Sequence, residues 1–350
     1  MHIQFATLFA DPKTSAPLAL EASERRGDRI IFGALVSPTA RYPIVRGIPR
    51  FVPFETDNYS RSFGYQWNRW PRLQFDSENV GRPMQGHTGQ MFERITGQNR
   101  GQSRGQNRRQ DSLAGQLILD IGCGPGRFIE TARSKGAKVI GIDYSTAVEA
   151  AARNFSDDPN VCICQADALK LPLPADSVDG AYSIGVLHHT PDPRQGVHEA
   201  ARVVRPGGWF ALSVYGQGGY YDFPTVKAWR RIFRALWPIA GHYPPLLYSY
   251  ATAYGLRPLA AILPWLGPLG KLGPLLGKAL RLPFPSVQLP DVRWSFLDTF
   301  DSVTPSYQSA HQAFEVFQWL KSGGMEEIEP ADWGLGAFHA RQPAAHIQAV

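Results

Sequence analysis

The sequence predicts an α/β protein in which a mainly parallel sheet carries helices on both faces. Three observations carry that prediction. From Leu113 onward, short apolar runs alternate with helical stretches; the first run, Leu117 to Ile121, enters a glycine loop; and acids stand at the ends of successive runs. Runs that are mostly apolar, rather than alternating, describe strands buried on both sides, as a helix-covered parallel sheet requires.

Taken in order, the run Leu117 to Ile121 is the first buried strand, and a helix starts at about Gly126. Lys138 to Ile142 is the second strand and Thr146 to Asn154 the second helix. Further strands are expected at Val161 to Gln165, Val178 to Ser183 and Trp209 to Tyr215, with a helix across Gln195 to Val204. After a long insertion the pattern resumes with a helix around Gln312 to Lys321 and closing strands at Met325 to Ile328 and Leu335 to Ala340. The chain therefore divides into a small β-rich module (1–54), a connector (55–112), a core (113–215), a mostly helical insertion after the fifth strand (216–299) and the remainder of the core (300–350).

The connector repeats the tetrad Gly-Gln-Asn/Ser-Arg three times from Gly97 to Arg108. With no apolar side chain to bury, that stretch reads as a disordered surface loop. The net charge of +6 is unevenly placed. Residues 94–110 hold five arginines and no acid, and residues 216–285 hold eight cations against Asp222 alone, so the rest of the chain is acidic. An acidic core speaks against a nucleic-acid partner, which would favour basic charge around the site. Cys123, Cys162 and Cys164 read as small buried side chains in a reducing compartment. Met1 to Asp11 carry no basic stretch of a secretory signal, so a cytoplasmic protein is expected.

The chemistry concentrates in four places. In Asp120-Ile-Gly-Cys-Gly-Pro-Gly126, Gly122, Gly124 and Gly126 let the backbone approach a ligand, and the following helix aims its N-terminus there. The G-x-G-x-G spacing with a preceding acid suits a ligand with an ammonium group and no pyrophosphate, unlike the G-x-G-x-x-G of dinucleotide sites. Asp143 ends the second strand, where a carboxylate either accepts ribose hydroxyls or caps the helix ahead of Ser145. Asp167, in Gln165-Ala-Asp167-Ala, can accept from an adenine amino group, and Arg205-Pro-Gly-Gly208 is a tight turn. His188 and His189 follow the fourth strand at the ligand-binding end of such a sheet. His189 is the first candidate for a base or acceptor contact; the alternative is that both rings shape the loop before Pro191.

The stretches LILDIGCGPGRF, VIGIDYS, QADALKLPLPADSVDGAYSIGVLHH and EAARVVRPGGWFALSVY resemble class I, Rossmann-like S-adenosylmethionine-dependent methyltransferases, in the branch that includes quinone-biosynthesis enzymes. The resemblance implies Asp120, Gly122, Gly124 and Gly126 around the methionine end of S-adenosyl-L-methionine, Asp143 on its ribose and Asp167 on its adenine. Residues 1–54 resemble a zinc-ribbon module that accompanies such enzymes, through Asp11-Pro-Lys-Thr14, Ser37-Pro38 and Arg41 to Arg50. The ribbon's cysteine positions hold Asp11, Thr14 and Ser37 here, so the fold is expected without a metal. The segment Phe63-Gly-Tyr-Gln-Trp67 resembles one placed ahead of the catalytic domain in fused enzymes, which implies either a cofactor cap or plain packing.

The insertion is expected to set the acceptor. Val226, Trp229, Ile232, Phe233, Leu236 and Trp237 share one side of a helix whose other side carries Lys227, Arg230, Arg231 and Arg234. Such a helix suits a roof over an apolar acceptor or a patch for peripheral membrane contact. Asp298, Asp301, Tyr307 and His311 are further candidates for the entrance. The expected function is methyl transfer to a small or lipid-like acceptor at oxygen or carbon. The rivals are a tRNA methyltransferase and a cofactor-binding scaffold without turnover.

Overall fold

In the computed structural model of the chain, the described residues are 1–52, 60–98, 112–262, 279 and 282–344. Most of the Gly-Gln-Asn/Ser-Arg repeat, from Asn99 onward, lies outside them. Two compact units are present, one of residues 1–75, 87–216 and 307–350, the other of 76–86 and 217–306.

The first unit holds two sheets. The N-terminal sheet is antiparallel, in the order β1 (Ala19–Arg26), β2 (Arg29–Val36), β3 (Arg41–Val45) and β4 (Ile48–Pro49). The main sheet has seven strands: β5 (Leu117–Ile121), β6 (Lys138–Asp143), β7 (Val161–Gln165), β8 (Val178–Ile184), β9 (Val204–Ser213), β10 (Glu326–Pro330) and β11 (Ala337–Arg341). Their order is β10-β11-β9-β8-β5-β6-β7, with β11 antiparallel to both neighbours and the five strands from β9 to the β7 edge mutually parallel. From β5 the chain first builds outward through β6 and β7, then returns to place β8 and β9 on the other side. That reversal opens a crevice at the carboxyl ends of β5 and β8.

The expected α/β, Rossmann-like sheet is thus observed, with one instructive shift. The fifth strand starts at Val204 instead of Trp209, because the Arg205-Pro-Gly-Gly208 turn bulges within it: Val204 pairs with Val178 and Trp209 with Gly180.

Side-chain alternation divides the core in two. Leu119, Ile140, Cys162, Cys164 and Phe210 face α5 (Pro193–Val203), α10 (Ala313–Ser322) and the N-terminal module, whose Phe5, Leu35 and Ile44 join the same cluster. Ile118, Val139, Ile163 and Tyr182 face the opposite way, onto α2 (His87–Thr96), α3 (Arg127–Ser134) and α4 (Val148–Asn154). Burial raises the thiol pKa of all three cysteines, which packs them as inert apolar groups.

The second unit holds α6 (Pro224–Ala240), α7 (Tyr243–Tyr250), a π-helical turn at Ala251–Leu256, α8 (Arg257–Ile262) and α9 (Val292–Val303). Residues 76–86, assigned from sequence to the connector, belong here: the Asn79 side-chain oxygen accepts from Trp294 Nε1 at 3.2 Å. Trp229 and Phe233 of α6 stack at 5.2 Å and meet Tyr248 of α7, filling this unit's own small core. Among the described residues, no helix is long and apolar enough to cross a membrane.

In the N-terminal module, the side chain of Asp11 is buried. It accepts from Ser37 Oγ at 2.7 Å, Lys13 N at 2.8 Å and Tyr42 OH at 3.0 Å, tying the two loops and β3 together. Among the described residues, no group of three or more His, Cys, Asp or Glu could hold a metal ion. Asp11→Ala should strand buried donors and cost about 1–3 kcal/mol in denaturant unfolding. Chelator should leave the wild-type melting temperature unchanged; one zinc per chain by elemental analysis would overturn this account of the module.

Candidate functional site

The glycine loop closes between the ends of β5 and β6. Gly122 N and Cys123 N both donate to Ile142 O, at 2.7 and 2.9 Å, and Gly126 N turns back onto Cys123 O at 2.8 Å. Gly122, Gly124 and Gly126 all take positive φ, at 81°, 53° and 94°. At Gly122 the reason is also steric: a Cβ would lie 2.2 Å from Val186 Cγ1, on the loop that follows β8. Gly126 is the N-cap of α3, so that helix directs its first amides toward the loop.

Three acids stand at or just after the ends of three adjacent strands. Asp120, in β5, is buried, and its Oδ2 makes no hydrogen bond of ordinary geometry among the described residues, the Tyr182 hydroxyl being its neighbouring donor. Burial pushes its carboxyl up to about 8, against the favourable influence of Tyr182 and with Asp143 adding repulsion. Tyr182 of β8 is its register partner and is itself fully buried between Phe92 and Phe128. Sequence reasoning missed this tyrosine, because only the strand register brings it beside Asp120. Asp143, at the end of β6, accepts from Gly124 N at 2.9 Å with Oδ2, and from Ser145 N and Oγ at 2.8 and 2.7 Å with Oδ1. Desolvation raises its pKa and these three donors oppose the rise. Asp167, after β7, accepts from Leu169 N at 2.9 Å, and burial raises its pKa too.

The helix α1 (Arg61–Arg69) runs across these strand ends. Trp67 stands over Gly124, where a Cβ would come within 3.3 Å of its Nε1. Gly64 allows close contact with Thr146, whose Oγ1 would meet a Cβ at 2.3 Å, and Asn68 Nδ2 donates to Thr146 O at 2.8 Å. Phe63 packs on His189 at 4.9 Å. One turn of the connector thereby touches the loops after β5, β6 and β8.

His188 and His189 lie on the 3-10 turn after β8, with ring centroids 4.1 Å apart. His189 Nδ1 lies 3.0 Å from Tyr307 O; a carbonyl only accepts, so Nδ1 carries the proton and Nε2 is the basic nitrogen of the neutral ring. His188 stacks on Tyr215 at 3.7 Å, and neither of its ring nitrogens has a hydrogen-bond partner among the described residues. Burial, with His189 and His311 nearby, holds His188 well below the ordinary imidazole pKa, so it is neutral. Of the further entrance candidates, Tyr307 and His311 belong to this unit, and His311 Nε2 lies 2.7 Å from Ser309 Oγ. Asp298 and Asp301 lie on α9 of the second unit.

The site thus offers a glycine cradle beside the buried Asp120 carboxyl, two further acids in a row, and a basic imidazole nitrogen. Comparison with known proteins bears on the domain that carries these residues. Residues 119–212 match the family described as "Methyltransferase domain". The chain is 42% identical over 104 residues to the 27-O-demethylrifamycin SV methyltransferase of Amycolatopsis mediterranei, covering 28% of this chain and 38% of that protein. It is 29% identical over 158 residues to a ubiquinone biosynthesis O-methyltransferase of Coxiella burnetii, covering 43% and 67%. It is 36% identical over 109 residues to a probable tRNA methyltransferase 9B of Mus musculus, covering 30% and 23%. The chain therefore spans well under two thirds of the Amycolatopsis and mouse proteins. These matches support an S-adenosylmethionine-dependent methyltransferase domain on the class I sheet.

Because Gly122 combines positive φ with contact to Val186, Gly122→Ala should destabilise the protein by about 1–3 kcal/mol. Adding Val186→Ala should recover part of the steric cost, since the Val186 Cβ would still lie 2.8 Å from the new methyl, and none of the backbone part. Thermal melts of the single and double variants check this; no recovery at all would show that Val186 does not limit the loop.

Proposed function

We propose that this chain transfers a methyl group from S-adenosyl-L-methionine to a small or lipid-like acceptor, at oxygen or carbon. The observation that carries the proposal is the buried carboxyl of Asp120 at the edge of a glycine cradle. Among the described residues no cation beside it satisfies Oδ2, and only the Tyr182 hydroxyl is a neighbouring donor. The cost of an unpaired charge keeps this buried carboxyl protonated, and an ammonium group beside it would stabilise the ionised form. S-adenosylmethionine, when bound, supplies an electrophilic methyl on a positively charged sulfur.

Each further residue has a matching task. The backbone of Gly122, Gly124 and Gly126 would lie against the methionine end. Asp143 uses three acceptor sites on Gly124 N and Ser145, and a carboxylate has about four, so it retains capacity for a ribose hydroxyl. The Ser145 hydroxyl can also rotate away to admit the second. Asp167 spends one acceptor site on Leu169 N and keeps others for an adenine amino group. His189 Nε2 would take the proton of a hydroxyl acceptor, and Trp67 and Phe63 would exclude water from above. His188, neutral and buried, would position His189 through ring contact.

The small-molecule reading draws on the O-methyltransferases among the relatives and on the apolar insertion. The tRNA reading has the mouse relative and the arginine repeat in its favour. The acidic body of the chain weighs against it.

Calorimetry with S-adenosylhomocysteine tests the cofactor assignment. Loss of charge-assisted bonds should weaken binding at least about tenfold in Asp143→Ala. Asp120 supplies a second, pH-dependent readout. With its pKa pushed up to about 8, it is protonated at pH 7 and must ionise to hold an ammonium. Binding near pH 7 should therefore release up to about one proton, and affinity should rise with pH until the carboxyl is already ionised above 8. Stability of the ligand-free protein should move the other way. A raised acid pKa means the folded chain binds more protons than the unfolded one, so this contribution declines as pH climbs from about 4 toward 8. Proton release unchanged in Asp120→Asn, or tight NADH binding with no response to S-adenosylhomocysteine, would contradict the assignment.

A further inference from the structure

The second unit carries more apolar surface than its own core uses. On α6 the buried row is Val226 and Phe233, with Trp229 packed beside them. A second apolar row, Ile232, Leu236 and Ile239, follows the same 3.6-residue period on the exposed side, and Ile239 is 87% exposed. On α7, Tyr243 and Leu247 are one turn apart and 78% and 72% exposed. Isolated exposed hydrophobics need no explanation, but a row of them on consecutive helices does.

Charge identifies what such a surface meets. Lys227, Arg231 and Arg234 form another row on α6, separated from the Ile232 row only by the small Ala228 and Ala235. Arg231 and Arg234 are exposed, and Lys227 pairs with Asp222, the one acid among residues 216–285. We propose that α6 and α7 dock this unit on the surface of an anionic lipid bilayer. The apolar row would lie at the acyl boundary and the basic row at the headgroups. The ring and hydroxyl of Tyr243 match that boundary, where one end of a side chain is dry and the other wet. An RNA would engage the arginines but leave Ile239 and Leu247 without a partner. A second copy of the chain would set the same basic rows against each other.

The inference concerns the exposed surface of this unit and does not depend on methyl transfer. Cosedimentation of the full chain with vesicles tests it, comparing phosphatidylcholine alone with phosphatidylcholine mixed with phosphatidylglycerol. Binding should be at least about tenfold stronger to the mixed vesicles and should fall several-fold as salt is raised from low to physiological. Ile239→Ser with Leu247→Ser should weaken binding about tenfold or more, and Arg231→Glu with Arg234→Glu should remove the preference for anionic lipid. Both pairs are exposed, so unchanged thermal melts confirm that folding is intact. The proposal is overturned by equal binding to both vesicle types, by full binding of the serine variant, or by light scattering that shows a dimer dissolved by the serine changes. It is also overturned if RNA binds this face and the glutamate changes alone abolish that binding. A chain that fails to bind S-adenosylhomocysteine but passes the vesicle assay would separate this inference from the methyltransferase reading.

Discussion

The carboxylate of Asp143 joins the ends of two adjacent parallel strands, and the candidate site depends on that link. One oxygen holds Gly124 N of the loop after β5, and the other holds the amide and hydroxyl of Ser145 after β6. Hydrogen bonds to a charged acceptor are the strong ones, and here they fix a backbone that three positive-φ glycines would otherwise leave loose. With the loop held, Asp120 is enclosed beside it, and α1 can lie across the strand ends with Trp67 against Gly124. The carboxylate that would read a ligand thus also builds the cradle.

The sheet supports this arrangement from both sides. The N-terminal module closes one face: Phe51 N donates to Gln165 O at 2.8 Å and Arg50 reaches Gln165 Oε1 at 2.6 Å, while Arg50 also pairs with Glu149 of α4. These contacts pin the end of β7, two residues before Asp167. The module thus packs the strand that leads to the third acid, with Asp11 as its own polar centre.

Much of this was legible in the sequence. Parallel strands covered on both faces are mostly apolar rather than alternating, so Leu117 to Ile121 and Val161 to Gln165 announced themselves at the observed bounds. Strand-end acids and loop glycines are local signals and were equally readable. What the sequence did not show is long-range pairing. Tyr182 meets Asp120 only through the β5–β8 register, and Asn79 joins Trp294 across more than two hundred residues. The helical period of α6 marked Trp229 and Phe233 as apolar-facing, but not that they fill the unit's own core while Ile239 faces outward. Period identifies a stripe; packing decides which part of it is covered.

The central claim, methyl transfer to a small or lipid-like acceptor, is tested most directly by following the methyl group. Purified protein would be incubated with methyl-labelled S-adenosylmethionine and separated fractions of a cell extract, and the label recovered by mass spectrometry. The account predicts label in a small-molecule or lipid fraction, and its loss in Asp143→Ala. Label confined to RNA, or no transfer to any fraction by a protein that binds S-adenosylhomocysteine, would contradict it.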